Sequence, residues 1–308
     1  MIGVGLLGGS VALAAKRVFG AKVVGVGRRQ ASLDAALAVG AIDKAYLAAE
    51  KAGGSREWRV GSRGRTVHRA SDTPYTPLPT PHFDLQAAVA DSDLIILATP
   101  VGAFEDYLRA IAPALKKGAV VTDVGSTKAL VVRSGEAILG RGGPFIGSHP
   151  MAGSEAKGVQ FARADLLEGA TCVITPTKYT PPRLTRFIEA FWRALGMKVV
   201  RMSPAAHDKS VAAVSHLPHA LAGLLMLLPR DGDLKVAATG FRDMTRLASG
   251  DVEMWRDIIL TNRRAILNAI DGFDESLVHL RDVIATGDGR GIENFLKAAK
   301  KRRGGLFG

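Results

Sequence analysis

The sequence predicts an α/β protein of the Rossmann type, a doubly wound parallel sheet whose first strand is apparently truncated, followed by an all-α helical domain. Three observations predict this fold. The first half alternates apolar strand-like runs such as DLIILATP and AVVTDVG with helix-like segments, which is typical of a parallel sheet covered on both faces. A G-x-G-x-x-G at Gly3, Gly5 and Gly8 opens the first helix. From Pro204 onward the pattern is wholly helical.

Composition and charge limit the classes of function that the chain can serve. Its 308 residues and 47% hydrophobic content suffice for real cores, and the single Cys172 excludes an intramolecular disulfide. No apolar run reaches the ~20 residues of a membrane span, so we expect a cytoplasmic protein with no membrane partner. Much of the formal charge of +12 falls in residues 51–69 and 297–303. Because no recognisable nucleic-acid-binding module accompanies it, we expect no nucleic-acid partner, and either a solvated surface or attraction of anionic small molecules.

The elements of the first domain follow from the apolar pattern. The helix SVALAAKRVF follows the glycine turn, and then come the short strand KVVGVG and the helix ASLDAALAVG, which Gly40 closes. The strands DLIILATP and AVVTDVG flank the helix AFEDYLRAIAPAL, and ATCVITP and KVVRM add two strands. Together they predict a dinucleotide-binding domain over residues 1–202. Residues 51–82, rich in Gly, Arg, Thr and Pro, interrupt it as a long exposed insertion.

The second domain, residues 203–308, is predicted to be a helical substrate and dimerisation domain. The run PAAHDKSVAAVSHLPHALAGLLMLL predicts one helix bent by Pro218, and residues 251–284 predict another of unusual length. Mostly apolar residues recur along this second helix at intervals of three and four, which suits packing against long helices, either in the core of the domain or at the seam of a homodimer. This stripe comprises Trp255, Ile259, Asn262, Ile266, Ala269, Phe273, Leu277, Leu280 and Ile284.

The segment before the glycine turn is short, since only Met1 and Ile2 precede it. The first strand of such a domain normally runs about five residues or more and lies near the centre of the sheet. We therefore expect that two residues cannot fill this central position and that the neighbouring strands lose hydrogen-bond partners there. We also expect that the protein begins upstream of Met1.

The end of the second strand bears on the choice of cofactor. In GVGRRQ, Gly27 takes the position where NAD enzymes commonly place an acidic residue for the ribose hydroxyls, and Arg28 and Arg29 follow it. Guanidinium groups suit a 2′-phosphate better than a 2′-hydroxyl. The pair therefore favours NADP, with NAD possible. The alternative is that both are surface arginines at a strand end.

Two polar stretches of the first domain point to catalysis. TDVGSTK puts Ser126 just past the C-terminal end of a strand, the edge at which open α/β sheets bind ligands, and the alternative is a helix cap. GSHPMAGSE places His149 in a Gly/Pro-rich loop after a strand. A histidine held in such a loop is a candidate general base.

Two stretches of the second domain carry further polar side chains. In VSHLPHA, Ser215 and His219 stand four residues apart and share a predicted helix face, while His216 is expected to point elsewhere, which makes one of the two histidines structural. In GFRDMTR, Arg242 and Arg246 are also four apart. They present two guanidinium groups to an anionic ligand, or they pair with neighbouring acidic residues.

The chain resembles the prephenate/arogenate dehydrogenase family of tyrosine biosynthesis in six stretches that occur in order and at suitable spacing. They are GLLGGSVA, LATPV, TDVGSTK, GSHPMAGSE, HDKSVAAVSHLPHALA and GFRDMTRLASGDVEMWRDI. The resemblance implies oxidative decarboxylation of prephenate to 4-hydroxyphenylpyruvate, or of arogenate to tyrosine, with hydride transfer from C4 to NAD(P). It also implies a small-molecule substrate, a homodimer formed through the C-terminal helices, and no metal.

The resemblance assigns roles to single residues. His149 matches the histidine that accepts the proton of the C4 hydroxyl, and Ser126 matches the serine that orients this histidine and the hydroxyl. Arg246 matches the arginine that binds a substrate carboxylate. The expected substrate-binding residues are Arg246, Arg242, Ser215 and His219, and the expected cofactor-binding residues are Gly3, Gly5, Leu6, Leu7, Gly8, Arg28, Arg29, Thr99 and Pro100.

Two other interpretations of the same residues are a non-catalytic NADP-binding sensor and a related β-hydroxyacid dehydrogenase or imine reductase. A sensor has no need for Ser126, His149 and Arg246 together, and the related reductases have no reason to carry GSHPMAG and SHLPH. The residues do not decide between prephenate and arogenate, which differ only by a keto or an amino group on the side chain.

Overall fold

The computed structural model describes residues 1–48, 82–153 and 156–307 and divides into two compact units, Met1–His207 and Asp208–Gly308. The division follows residue 207, whereas the sequence predicts a boundary after residue 202. The predicted insertion, residues 51–82, lies outside the described residues except for its last position, where a helix begins.

Unit 1 alternates strands and helices in its described residues, as predicted. Its strands are β1 (Val24–Gly27), β2 (Lys44–Leu47), β3 (Leu94–Leu97), β4 (Val120–Asp123), β5 (Gly147–Pro150), β6 (Thr171–Thr175) and β7 (Lys198–Arg201). Its helices are α1 (Leu6–Phe19), α2 (Gln30–Ala38), α3 (His82–Val89), α4 (Phe104–Ile111), α5 (Ala129–Leu139) and α6 (Pro182–Ala194), and α7 (Pro204–Val211) begins at its end.

The strands pair mostly in parallel. β1 pairs with β2 in the register Val24↔Lys44, and β3 pairs with β4 in the register Leu94↔Val120. The predicted strands ATCVITP and KVVRM are β6 and β7, which also pair in parallel. β5 is antiparallel to β6, an arrangement that the sequence did not predict, and His149 lies inside β5 opposite Val173. The prediction that His149 lies in a loop after a strand was therefore wrong.

The position between β1 and β3 is filled by the first three residues of the chain. Ile2 bridges in parallel to both Val26 and Leu97. The backbone N–H of Ile2 donates to Ile96 (2.9 Å), and its carbonyl accepts from Ala98 (2.7 Å), while Val26 pairs with Met1 and Gly3 on the other side (both 2.8 Å). The expectation that the neighbouring strands lose hydrogen-bond partners here was wrong, because the backbone groups of Met1, Ile2 and Gly3 pair with both of them.

Apolar residues cover both faces of this sheet. Ile95 and Leu97 of β3 pack in one buried cluster together with Ile2 and Leu108. The intervening Ile96 packs in a second cluster on the other face. Because side chains alternate across a strand, the fully apolar run of β3 places a core residue on each face, which confirms the prediction from its composition.

A buried ion pair follows β4. The ammonium group of Lys128 contacts the carboxylate of Asp123, and both side chains are fully buried. Asp123 also accepts hydrogen bonds from the backbone N–H groups of Gly125 (2.8 Å) and Ser148 (3.0 Å), so it joins the end of β4 to β5. Burial raises the pKa of Asp123, and the Lys128 ammonium and the two N–H groups oppose that rise. The hydroxyl of Ser148 accepts a hydrogen bond from the indole N–H of Trp192 (3.0 Å).

Unit 2 is helical in its described residues, as predicted, but its long helices are interrupted. A π-helical segment, Ala212–His216, separates α7 from the helix that contains Pro218, which has no N–H to continue the α-helical ladder. The long helix predicted over residues 251–284 is two helices, broken at Asn262, where ψ is 22°. The helices of this unit are α8 (Leu217–Leu227), α9 (Thr239–Thr245), α10 (Val252–Thr261), α11 (Arg263–Ala285) and α12 (Gly289–Phe307).

Part of the predicted apolar stripe, chiefly in the C-terminal half of α11, is exposed in the single chain. Ile266 is only 4% exposed, but Phe273, Leu277 and Ile284 are 37%, 49% and 59% exposed. The alternative that the whole stripe forms the core of this unit is therefore wrong, since its C-terminal half in α11 has little apolar surface of the same chain to pack against.

The helical stretch Pro204–Leu227 is long and apolar enough to cross a membrane by length and composition alone. The prediction that no run reaches this length was therefore wrong. His207, Asp208 and His216 of this stretch are buried, but only 22% of its most apolar 18-residue window is. Length and composition are weak evidence for a span, because a helix in the core of a soluble protein meets the same test.

We predict that Lys128→Met strongly destabilises the protein, because it leaves the Asp123 carboxylate buried without its counter-ion. Removing one partner of a buried pair costs about 3–5 kcal/mol, which urea denaturation followed by circular dichroism would measure. The double variant Asp123→Asn/Lys128→Met removes both charges and should recover part of this loss. Equal destabilisation of the single and double variants would show that the charge pairing is not the cause.

Candidate active site

The glycine turn before α1 uses each glycine for a different reason. Gly3 has φ of +97°, and a Cβ there would lie 2.5 Å from the carbonyl oxygen of Ala98. A Cβ on Gly8 would lie 2.2 Å from the carbonyl oxygen of Gly3, so the helix packs directly on the turn. A Cβ on Gly5 meets nothing within 4 Å. The turn is thus closely packed at Gly3 and Gly8 and open at Gly5.

The first turn of α1 begins beside this opening. Gly5 is the N-cap residue, with extended backbone and no side-chain cap, and Leu6 and Leu7 follow in the first turn. Backbone N–H groups at a helix N-terminus favour a phosphate group. Thr99 and Pro100 follow β3, and Thr99 lies against the turn, since a Cβ on Gly3 would be 2.9 Å from its backbone nitrogen. The structure therefore brings these predicted cofactor-binding residues together and leaves room for a pyrophosphate at Gly5.

Arg28 and Arg29 lie where the sequence predicts, directly after β1. Both are exposed, and Arg29 is the N-cap residue of α2. The Arg28 guanidinium acts electrostatically on Tyr107 of α4, where it opposes the rise in the pKa of the phenol that burial causes. Arg28 thus lies near α4, on the same C-terminal edge of the parallel strands as the glycine turn.

Ser126 lies at this edge as well, in the loop after β4, and is half-buried. The alternative that it caps a helix was wrong, because α5 begins three residues later with Lys128 as its N-cap residue and no side-chain cap. In the chain, Ser126 lies between Asp123 and Lys128. The buried ion pair between these two residues therefore fixes both ends of the loop that carries Ser126.

His149 is buried in β5 and bonded to a second histidine. Its Nδ1 lies 2.8 Å from Nε2 of His207, and the rings meet edge to face with centroids 5.1 Å apart. Sequence reasoning missed His207 as a site residue. The sequence HDKS could have indicated His207, because it places a histidine in the first turn of a helix that follows the last strand of the domain.

Within unit 2 the histidines of SHLPH have separate environments. His216 is buried, and its Nδ1 lies 3.1 Å from Nδ2 of Asn262, so it is the structural histidine that the sequence predicts. His219 is half-buried and stacks on Trp255 with ring centroids 3.5 Å apart. Burial lowers the pKa of His219, which favours its neutral form. Trp255 was predicted only as part of the apolar stripe.

The geometry of the other predicted substrate-binding residues is not that of a regular α-helix. Ser215 lies in the π-helical segment, and α9 ends at Thr245, so that Arg242 is in the helix and Arg246 in the 3₁₀ turn after it. Spacing by four therefore does not by itself place either pair on one face. Both arginines are exposed.

The site in unit 1 therefore consists of an open dinucleotide-binding turn, a serine at the same sheet edge, and a buried pair of histidines. The arrangement supplies N–H groups for a pyrophosphate and one imidazole for proton transfer. No cluster of three or more His, Cys, Asp or Glu side chains able to hold a metal ion occurs among the residues that the structure describes.

Comparison with known proteins gives two matching family models. Residues 81–201 match the nucleotide-binding domain of prephenate dehydrogenase, and residues 203–298 match its dimerization domain. Cyclohexadienyl dehydrogenase of Zymomonas mobilis is 34% identical over 227 residues, which cover 71% of this chain and 77% of that protein. Prephenate dehydrogenase of Bacillus subtilis is 30% identical over 314 residues, which cover 99% of this chain and 75% of that protein.

Solved structures are similar over the whole chain. Prephenate dehydrogenase of Aquifex aeolicus, in complex with hydroxyphenyl propionate and NAD⁺, superposes with a TM-score of 0.82 at 32% identity, covering 99% of this chain and 96% of that one. Arogenate dehydrogenase of Synechocystis gives a TM-score of 0.75 at 27% identity, covering 98% of this chain and 97% of that one.

We predict that Gly5→Ala and Gly8→Ala affect different properties. At Gly5 a methyl group meets no protein atom, so the melting temperature should stay close to that of the wild type, while Kd for a dinucleotide rises about tenfold or more because the methyl group crowds the pyrophosphate. At Gly8 the methyl group meets a backbone carbonyl, and overpacking of this kind costs about 1–3 kcal/mol. Thermal melting and fluorescence titration would separate the two effects; unchanged nucleotide affinity in Gly5→Ala would contradict the proposed contact.

Proposed function

The chain belongs to the prephenate dehydrogenase family, and from this premise we propose that it catalyses the oxidative decarboxylation of prephenate or arogenate in tyrosine biosynthesis, with NAD(P)⁺ as hydride acceptor. The observation that carries the proposal is the buried His149, whose ring is held in a strand of the unit that also contains the open glycine turn. For this reaction the protein needs to align the substrate with the nucleotide and to supply one proton acceptor.

His149 is proposed as the base. When the C4 hydride leaves for the nicotinamide, the C4 hydroxyl gives its proton to the neutral imidazole. The C–C bond to the ring carboxylate then breaks, carbon dioxide leaves, and the electron pair of that bond enters the ring, which becomes aromatic. The oxygen on C4 takes the proton back from the imidazolium, so that His149 ends the cycle neutral. Ser126 is proposed to orient the hydroxyl at the same sheet edge.

Anion recognition is assigned to unit 2. Arg246 is proposed to bind a carboxylate of the substrate, because an exposed guanidinium forms charge-assisted hydrogen bonds with a carboxylate, and Arg242 either assists it or is structural. Ser215 and His219 are proposed to contact the substrate side chain. A neutral His219, favoured by its lowered pKa, donates or accepts a hydrogen bond without adding a charge.

Binding of a pyridine nucleotide follows from the family, and we propose that NADP is preferred over NAD. The support is local: Arg28 and Arg29 follow β1, and no acidic side chain stands at Gly27 to hydrogen-bond the ribose hydroxyls of NAD. The residues proposed to hold the cofactor are Gly3, Gly5, Leu6, Leu7, Gly8, Arg28, Arg29, Thr99 and Pro100.

A cytoplasmic homodimer is proposed as the working form. The exposed apolar half of the stripe in α11, together with the match of this segment to a dimerization domain, supports pairing through the C-terminal helices. We also propose a domain boundary near residue 202, since the match to the first family model ends at residue 201 and the match to the second begins at residue 203.

The test of the function is an assay with prephenate and with arogenate, each with NADP⁺ and with NAD⁺, followed at the absorbance of the reduced nicotinamide. Comparison of kcat/KM for the four pairs identifies the substrate and the cofactor. Absence of turnover with either substrate, in a protein that still binds NADP⁺, would favour the non-catalytic sensor instead.

We predict that His149→Asn lowers kcat by the ~10²–10⁴-fold typical of an acid–base group. Asparagine keeps a polar atom near the position of Nδ1, so cofactor affinity should not change. In the wild type, kcat/KM should fall as the pH drops through the pKa of His149, because only the neutral ring accepts a proton. A variant with nearly normal kcat would remove His149 from this role.

We predict that Arg28→Ala/Arg29→Ala raises KM for NADP⁺ by about tenfold or more, since a charge-assisted hydrogen bond contributes ~1.5–3 kcal/mol, and changes KM for NAD⁺ much less. The exposed pair Arg183 and Arg186 on α6 offers a matched control, because Arg183→Ala/Arg186→Ala removes the same charge elsewhere on unit 1. Equal effects of the Arg28/Arg29 variant on both cofactors would show that the pair acts only as general surface charge.

A further inference from the structure

His149 and His207 form a hydrogen-bonded pair inside unit 1, and the proposed mechanism gives His207 no role. Nδ1 of His149 lies 2.8 Å from Nε2 of His207. His207 is fully buried and His149 is nearly so. A hydrogen bond between two imidazoles needs one ring to donate and the other to accept, so the pair fixes the tautomer of both rings.

The backbone around His207 holds this ring in place. Ser203 caps α7, since its hydroxyl accepts a hydrogen bond from the N–H of Ala206 (3.2 Å), and Pro204 stands at the first helical position. The N–H of His207 donates to the carbonyl of Ser203 (2.9 Å). α7 follows β7, which is joined through β6 to β5, so both histidines are carried by one three-stranded sheet and the helix after it.

The tautomer required for catalysis decides the direction of the bond. A neutral His149 that accepts a substrate proton at Nε2 must carry its own hydrogen on Nδ1. That hydrogen is then donated to Nε2 of His207, which in turn carries its hydrogen on Nδ1. When His149 becomes an imidazolium, the same bond becomes charge-assisted and stabilises the positive charge.

We propose that His207 is the positioning residue of the catalytic base: it accepts the Nδ1–H of His149, holds the ring with Nε2 as the proton-accepting atom, and stabilises the imidazolium. This proposal deepens the proposed function and depends on His149 being the base. His207 acts through the ring of His149 and not on the substrate itself.

Three further titratable groups or pairs lie on the surrounding elements. Cys172 in β6 stays a neutral thiol, because burial raises its pKa. The buried ion pair after β4 is internally neutralised. Asp208 follows His207 in α7 and is buried. Its backbone carbonyl accepts a hydrogen bond from the side-chain amide of Asn262 (2.8 Å).

The kinetic test compares His207→Leu and His207→Gln with the wild type. His207→Leu should lower kcat by about tenfold or more, yet less than the ~10²–10⁴-fold loss expected when the base itself is removed, and it should leave KM for the cofactor unchanged. The acid limb of the pH profile of kcat/KM should move by about one unit to lower pH, because the imidazolium loses its acceptor. His207→Gln, whose side-chain oxygen accepts a hydrogen bond, should recover part of both effects.

His216→Gln is the matched control, because it replaces another buried histidine whose bonded partner is Asn262. It should lower the melting temperature without moving the acid limb. An unchanged kcat and an unchanged acid limb in His207→Leu would overturn the proposal, and so would a shift of equal size in His216→Gln.

A measurement without turnover separates this proposal from the proposed function. Long-range ¹H–¹⁵N correlation spectra of the wild type, with assignment from His149→Asn, report which ring nitrogen of neutral His149 carries the hydrogen. We expect Nδ1, and hydrogen on Nε2 would overturn the role of His207 whether or not the variants fold. If the spectra show Nδ1–H but neither prephenate nor arogenate is oxidised, the proposed function fails while the hydrogen-bonded pair stands.

Discussion

The ion pair between Asp123 and Lys128 connects the end of β4 to the rest of the site in unit 1. Removing a charged group from water is costly unless a partner of opposite charge accompanies it, so this segment keeps both groups together in the interior. Ser126 lies in the short loop between them, and the second carboxylate oxygen of Asp123 accepts the N–H of Ser148. The same pair therefore fixes the loop of the serine and the strand position next to His149.

The glycine turn shows how close packing and ligand access are combined in one short segment. Gly3 and Gly8 lack a Cβ because backbone atoms of the same unit occupy its place, whereas Gly5 lacks one where the protein leaves open space. The packed glycines hold the start of α1 against β3, and the open one exposes the helix N-terminus. Rigidity and access thus come from the same residue type for opposite reasons.

Unit 2 uses its polar residues in two ways. Asn262 breaks the long helix and bonds both the carbonyl of Asp208 and the ring of His216, so these groups are satisfied within the unit. His219 instead stacks on Trp255 with its pKa lowered. Gly250 is required at this stack, because a Cβ there would lie 2.6 Å from both rings. One histidine of SHLPH thus serves the fold, and the other remains the proposed contact to substrate.

The sequence by itself determined the parallel α/β first unit, the helical second unit, the glycine turn and the place of Ser126 after β4, because apolar period and glycine sterics act over a few neighbouring residues. Only the tertiary structure placed His149 inside an antiparallel strand, paired it with His207 58 positions away, and let Met1 and Ile2 bridge two strands. It also broke the long helix at Asn262, whose side chain bonds a carbonyl 54 positions away. These features depend on partners that are distant in the chain, and a contact of that kind leaves no local period in the residues from which it could be predicted.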